Sequence, residues 1–123
     1  MNKKFNILII DDAEEVLTSL KKFFSKKNYD VAVAANGLEG LKLIEAKDAH
    51  FDLIITDLVM PSISGVAIIS IAKKKFPETP IIAITGWGEH PEALAKEANA
   101  DIVLEKPFKL PDLEKHVEKL LNR

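Results

Sequence analysis

The sequence predicts a single doubly wound α/β domain of (βα)5 form, with a five-stranded parallel sheet in the order 2-1-3-4-5. Short apolar runs alternate with helix-period stretches along the 123 residues, the signature of repeated strand-helix units. The runs are nearly continuous, as in Ile81-Ile82-Ala83-Ile84, which suits parallel strands covered by helices on both faces. Right-handed crossovers leave few strand orders open, and 2-1-3-4-5 is the common five-stranded one.

The first strand opens near Phe5 and runs through Ile7-Leu8-Ile9-Ile10 to Asp11-Asp12. Val16, Leu17, Leu20, Phe23 and Phe24 follow at helix spacing. A short second strand at residues 31–34 precedes the turn signal Asn36-Gly37 and a helix carrying Leu38, Leu41, Leu43 and Ile44. The third strand, Leu53-Ile54-Ile55-Thr56-Asp57, leads past Pro61 and Ser64-Gly65 into a helix with Val66, Ile68, Ile69 and Ala72. Pro77 and Pro80 introduce the fourth strand, Ile81-Ile82-Ala83-Ile84-Thr85, and Ala93, Leu94 and Ala98 mark its helix. Asn99 precedes the fifth strand, Ile102-Val103-Leu104-Glu105-Lys106, and the last helix carries Leu110, Leu113, Val117 and Leu120. One domain over residues 1–123 is the expectation.

Composition narrows the function classes. With 17 basic and 19 acidic residues the net charge is -2, which provides no electrostatic footprint for nucleic acid or an anionic membrane. Cysteine is absent, so disulfides and thiolate metal sites are closed. The apolar run after Met1 stops at Asp11, too early for a signal peptide, and no stretch approaches membrane-spanning length. A cytoplasmic protein is expected. His50, His90 and His116 share no metal-ligand spacing and read as surface residues.

Ligands in open α/β sheets bind at the carboxyl edge of the strands. In the expected order, Asp11, Asp12 and Asp57 converge there, Thr85 sits one strand beyond Asp57, and Lys106 two. Strands are about 4.8 Å apart, so a group on the fifth must span roughly 10 Å to reach Asp57. Lysine has that length, and a threonine suffices on the fourth strand. Each residue also has a plainer reading. Asp12 could cap a helix, with Glu15 closing a capping box, and Glu14 and Glu15 suit a helix first turn. Thr85 could be a strand-end hydroxyl and Lys106 a guard on an exposed sheet edge. Asp57 resists such a reading, because Leu58-Val59-Met60-Pro61 follows and starts no helix.

Three clustered carboxylates repel one another and demand a cation. An all-oxygen set suits Mg²⁺, which keeps an open face for phosphate. Asp57 could then attack phosphorus in line while Mg²⁺, Lys106 and the Thr85 hydroxyl hold the equatorial oxygens, forming an aspartyl phosphate that water later hydrolyses.

At these residues the chain resembles the receiver domain of two-component response regulators, of the bacterial chemotaxis receiver type. Asp11-Asp12, Asp57-Leu58-Val59-Met60-Pro61, Gly65, Thr85-Gly86 and Lys106-Pro107-Phe108 carry the likeness, which runs from about Phe5 to Leu121. It implies a flavodoxin-like fold, Asp57 as phosphoacceptor, and Thr85 and Lys106 as its catalytic partners. It further implies Mg²⁺ on Asp12, Asp57 and the Val59 carbonyl, with Asp11 acting through water, and a cis Lys106-Pro107 peptide. The implied donor is a phosphohistidine on a sensor histidine kinase or histidine phosphotransfer protein. A downstream effector protein would read a switch on the fourth helix, fifth strand and fifth helix, in a monomer or a weak phosphorylation-dependent dimer. Such a domain is no enzyme beyond catalysing its own phosphorylation and dephosphorylation. Val103 stands where many receivers carry Tyr or Phe, so the aromatic rotamer of those receivers has no counterpart at this position. An FMN-binding flavodoxin would not offer Asp11-Asp12-Ala13-Glu14-Glu15 to a phosphate. An aspartyl-phosphate hydrolase would lead with Asp-x-Asp, and a flavodoxin-like interaction module that is never phosphorylated remains the alternative.

In receivers the residues two beyond the acceptor and two beyond the threonine flank the attacking water, here Val59 and Trp87. Neither side chain can orient that water, and both crowd its path. Self-dephosphorylation should be slower than in a Val59→Asn, Trp87→Glu double variant by on the order of tenfold, about 1.4 kcal/mol in barrier. The check is decay of the phosphorylated protein after donor removal in excess Mg²⁺, and equal decay rates would refute it.

Overall fold

The computed structural model describes residues 4–86 and 99–123. In chain order these form β1 (Asn6–Ile10), α1 (Glu14–Lys26), β2 (Asp30–Ala34), α2 (Gly37–Glu45), β3 (Leu53–Asp57), α3 (Gly65–Lys75), β4 (Ile81–Thr85), β5 (Ile102–Glu105) and α4 (Leu110–Leu121). The sheet is parallel throughout in the order β2-β1-β3-β4-β5, as the sequence predicts. The helix expected at Ala93, Leu94 and Ala98 lies outside the described residues.

Side chains alternate across each strand and so divide the core into two layers. Leu8, Ile10, Ile54, Ile81 and Ala83 face one way and meet Ile44 of α2 and Ile68, Ile69 and Ala72 of α3. Ile7, Ile9, Leu53, Ile55, Ile82 and Ile84 face the other and meet Leu17, Leu20 and Phe24 of α1 and Leu113 and Val117 of α4. All of these strand residues are 0 or 1% exposed. A fully buried side chain of this size contributes about 2 kcal/mol, so the central strands cannot slip without losing a whole face.

The turn signals become helix caps. Asn36 accepts the Glu39 N–H at 2.8 Å, and the Glu39 carboxylate in return accepts the Ala35 N–H at 2.8 Å. Ser64 Oγ accepts the Ala67 N–H at 3.2 Å and starts α3. The capping reading of Asp12 fails. Ala13 is the N-cap of α1 and makes no side-chain cap bond, while Glu14 and Glu15 occupy the first turn.

The amino-terminal edge of the sheet is tied by polar bonds. Lys73 Nζ reaches the Thr79 carbonyl and Asp101 Oδ2, both at 3.0 Å, and that same oxygen accepts the Ile81 N–H at 2.7 Å. Asp52 Oδ2 accepts the Asn6 N–H at 2.7 Å. Lys75 Nζ donates to the Ile44 and Ala46 carbonyls at 2.7 and 3.0 Å and so caps the end of α2.

Between β3 and α3 the chain turns tightly. Ser62 has φ of 70°, a conformation that is costly for a residue other than Gly or Asn. Gly65 N–H donates to the Leu58 carbonyl at 2.9 Å, and a Cβ at Gly65 would fall on the Asp57 carbonyl oxygen and the Leu58 backbone. Gly65→Ala is therefore expected to destabilise the fold by about 1–3 kcal/mol through overpacking, despite the better helix propensity of alanine. Urea unfolding checks this, and an unchanged midpoint would show that the turn yields freely.

Candidate functional site

The carboxyl ends of β1 and β3 are neighbours, and each of Asp11, Asp12 and Asp57 places a carboxylate oxygen within 4.8 Å of those of the others. Asp11 is 1% exposed and Asp57 6%, whereas Asp12 is exposed. Asp11 N–H donates to the Ala34 carbonyl at 3.2 Å, and Asp11 Oδ1 accepts the Ala13 N–H at 2.8 Å. This local turn through an Asp side chain ends the strand and aims the second carboxylate oxygen inward.

Lys106 follows β5 and reaches across the sheet edge. Its Nζ lies 3.2 Å from Asp11 Oδ2 and 3.7 Å from Asp57 Oδ2. The sequence reading matched its length to Asp57 and missed that its nearer partner is Asp11, one strand further on. The Lys106–Pro107 peptide is cis, as expected from the resemblance. Lys106 is thus no edge guard.

Three negative charges face one ammonium, and the consequence falls on Asp57. Burial, then the Asp11 carboxylate and less so Asp12, raise its carboxyl from the ordinary 3.8 to about 6, against the lowering effects of Lys106 and the Val59 N–H. That N–H lies a long 3.4 Å from Asp57 Oδ1. Asp57 is left under-compensated, with both oxygens available to a cation or an electrophile.

A pocket of about 550 Å³ opens over the cluster, lined by Asp12, Asp57, Val59, Met60, Pro61, Gly86 and Lys106. Met60 and Pro61, which the sequence places in the receiver-like stretch after Asp57 without a role in the site, form part of its wall. Thr85 is fully buried and does not line the pocket. Its register lies one residue past Ile84, the partner of Asp57, and its hydroxyl has no partner among the described residues. A buried hydroxyl left unpaired costs about 1–3 kcal/mol, which marks it as a donor in waiting. Val59 is 49% exposed. Val103 is half-buried against the α2 and α3 layer, and Trp87 lies outside the described residues. A second groove, of about 600 Å³, runs beside Lys106 between Glu15, Val16, Ser19 and Leu20 of α1 and Pro107, Phe108 and Leu110.

Among the described residues no helix is long and apolar enough to cross a membrane. The chain is 32% identical over its full length to the alkaline phosphatase synthesis transcriptional regulatory protein PhoP of Bacillus subtilis, of which it spans 50%. It is 28% identical over 95% of its length to the sensor kinase CckA of Brucella abortus, of which it spans 12%. The chain therefore covers half or less of these curated relatives. Among solved structures it resembles a CheY-like response regulator receiver domain from Methanospirillum hungatei, with TM-score 0.91 and 30% identity over 98% of this chain and 95% of that one. It also resembles the response regulator TrrA of Thermotoga maritima in complex with Mg²⁺-BeF, with TM-score 0.83 and 33% identity over 97% of this chain and all of that one. The response regulator receiver domain family matches residues 7–118, the span that carries Asp11, Asp12, Asp57, Thr85 and Lys106, and the chain belongs to that family of two-component signalling modules.

Proposed function

We infer that residues 1–123 act as one receiver domain in which Asp57 accepts a phosphoryl group from a phosphohistidine. The observation that carries this reading is the cluster itself: an under-compensated buried carboxylate beside two others, with one ammonium 3.7 Å away. The donor set is all oxygen and rich in charge, which fits Mg²⁺. Asp12, Asp57 and the Val59 carbonyl would hold the ion, with Asp11 acting through water. When bound, it would neutralise the carboxylates and orient phosphoryl oxygens.

An Asp57 carboxylate oxygen attacks phosphorus in line, the P–N bond breaks, and the imidazole leaves with its proton. Lys106, tethered to Asp11, needs only a small swing to meet the new phosphoryl charge. The unpaired Thr85 hydroxyl supplies a donor to a phosphoryl oxygen once it turns toward the site. Gly86 leaves room for the group. Water later attacks the acyl phosphate and returns the carboxylate.

The donor is a sensor histidine kinase or a histidine phosphotransfer protein in the cytoplasm, and the apolar-floored groove along α1 offers it a seat beside Lys106. The output is an effector protein that reads the face containing β5 and α4. The chain works as a monomer or as a weak dimer formed on phosphorylation.

Incubation with acetyl phosphate and Mg²⁺ should add one phosphoryl group by intact mass. Modification that persists in Asp57→Asn, or in the presence of chelator, would overturn the assignment and favour a module that is never phosphorylated at this site.

The raised Asp57 pKa also sets a pH dependence. Its favourable contribution is complete below the unfolded value of 3.8 and is lost as pH rises through about 6. Without metal, Asp57→Asn should therefore be more stable than wild type above pH 6, by up to about 3 kcal/mol. The gap should close as pH falls toward 4, and millimolar Mg²⁺ should narrow or reverse it at neutral pH. Urea unfolding of both proteins across this range is the measurement, and a pH-independent difference would contradict the electrostatic account.

A further inference from the structure

We propose that Thr56 is a positioning residue that sets the aim of Asp57 through the peptide joining Asp57 to Leu58, an inference that rests on Asp57 being the acceptor. Thr56 lies in β3 opposite Ile10 of β1 and Ala83 of β4. It is fully buried on a layer otherwise built of Ile10, Ile54, Ala83 and their apolar neighbours. Packing alone would be served by valine, which has the same shape and avoids the desolvation of a hydroxyl. The hydroxyl instead donates to the Asp57 carbonyl oxygen at 3.0 Å.

That carbonyl belongs to a peptide held from several sides. On its amide side, Leu58 N–H donates to the Ile84 carbonyl at 2.9 Å. On its other face Gly65 packs so closely that no Cβ could be accommodated. The Thr56 hydroxyl completes the grip from within β3. Two groups of the site lie close to this peptide: the Asp57 side chain directly before it and, one residue beyond Leu58, the Val59 main chain, whose N–H lies 3.4 Å from Asp57 Oδ1. A rotation of the peptide plane would turn the carboxylate and the Val59 main chain together, and so would displace two groups assigned to the metal. The hydroxyl touches neither substrate nor metal and acts only through Asp57.

The test compares Thr56→Val, which removes the hydroxyl and keeps the shape, with Thr56→Ser, which restores it. Mn²⁺ binding by electron paramagnetic resonance and the rate of phosphorylation by acetyl phosphate are the readouts, with urea unfolding to verify folding. Thr56→Val should weaken Mn²⁺ binding and slow phosphorylation, each about fivefold, the size of one net hydrogen bond. Thr56→Ser should return both to within about twofold, a rescue that a merely structural role would not require. A folded Thr56→Val protein equal to wild type in both readouts would overturn the inference. Should Thr56→Val fail to fold, Thr56→Ser and Thr56→Ala provide the same contrast, and equality between them is the overturning result. If wild type is not modified at Asp57, the acceptor assignment fails, yet the Mn²⁺ comparison still decides the role of Thr56.

Discussion

The mutual repulsion of three carboxylates on one sheet edge is the constraint around which this domain is arranged. The register of β1 against β3 forces Asp11, Asp12 and Asp57 within 4.8 Å of one another. Lys106 comes from the far edge strand to relieve part of that charge. Burial, together with what remains of the repulsion, appears as the raised pKa of Asp57, whose charged form is thereby made more costly. Such a cluster of carboxylates gains most from a divalent cation. The apolar strands beneath supply the rigidity that keeps the charges from drifting apart.

Most of this was legible in the sequence because strands and charges obey simple rules. Unbroken apolar runs predicted strands buried on both faces, and the parallel order followed from crossover handedness. The residues at the strand ends then had defined neighbours, which is why Asp57 and its partners could be named together. The competing cap reading of Asp12 was also plausible locally, and only the three-dimensional course of the turn excludes it: Asp11 rather than Asp12 bonds the Ala13 amide.

What escaped the sequence depends on side-chain direction rather than strand order. The distance from β5 to β3 can be estimated from strand spacing, but the bend by which Lys106 passes on to Asp11 cannot. Thr56 carries no pattern signal, since a threonine inside an apolar run looks like an ordinary β-branched strand residue. Its role becomes visible only when its hydroxyl partner is known. Thr85 was named from its place at a strand end, yet its burial and its lack of a partner among the described residues required coordinates.

The polar ties at the amino-terminal edge give the sheet a mechanical polarity. Lys73 with Asp101, Asp52 with Asn6, and Lys75 over the end of α2 fasten one end of the strands, while the other end carries the repulsion. The two ends are separated by a strand of five residues, roughly 17 Å, beyond the screening length of physiological salt. Substitutions in the two places should therefore combine nearly additively. A lineage can strengthen the fastened end and thereby tolerate more charge, or a stranger loop, at the reactive one. Robustness and signalling then become separately adjustable traits of one small sheet.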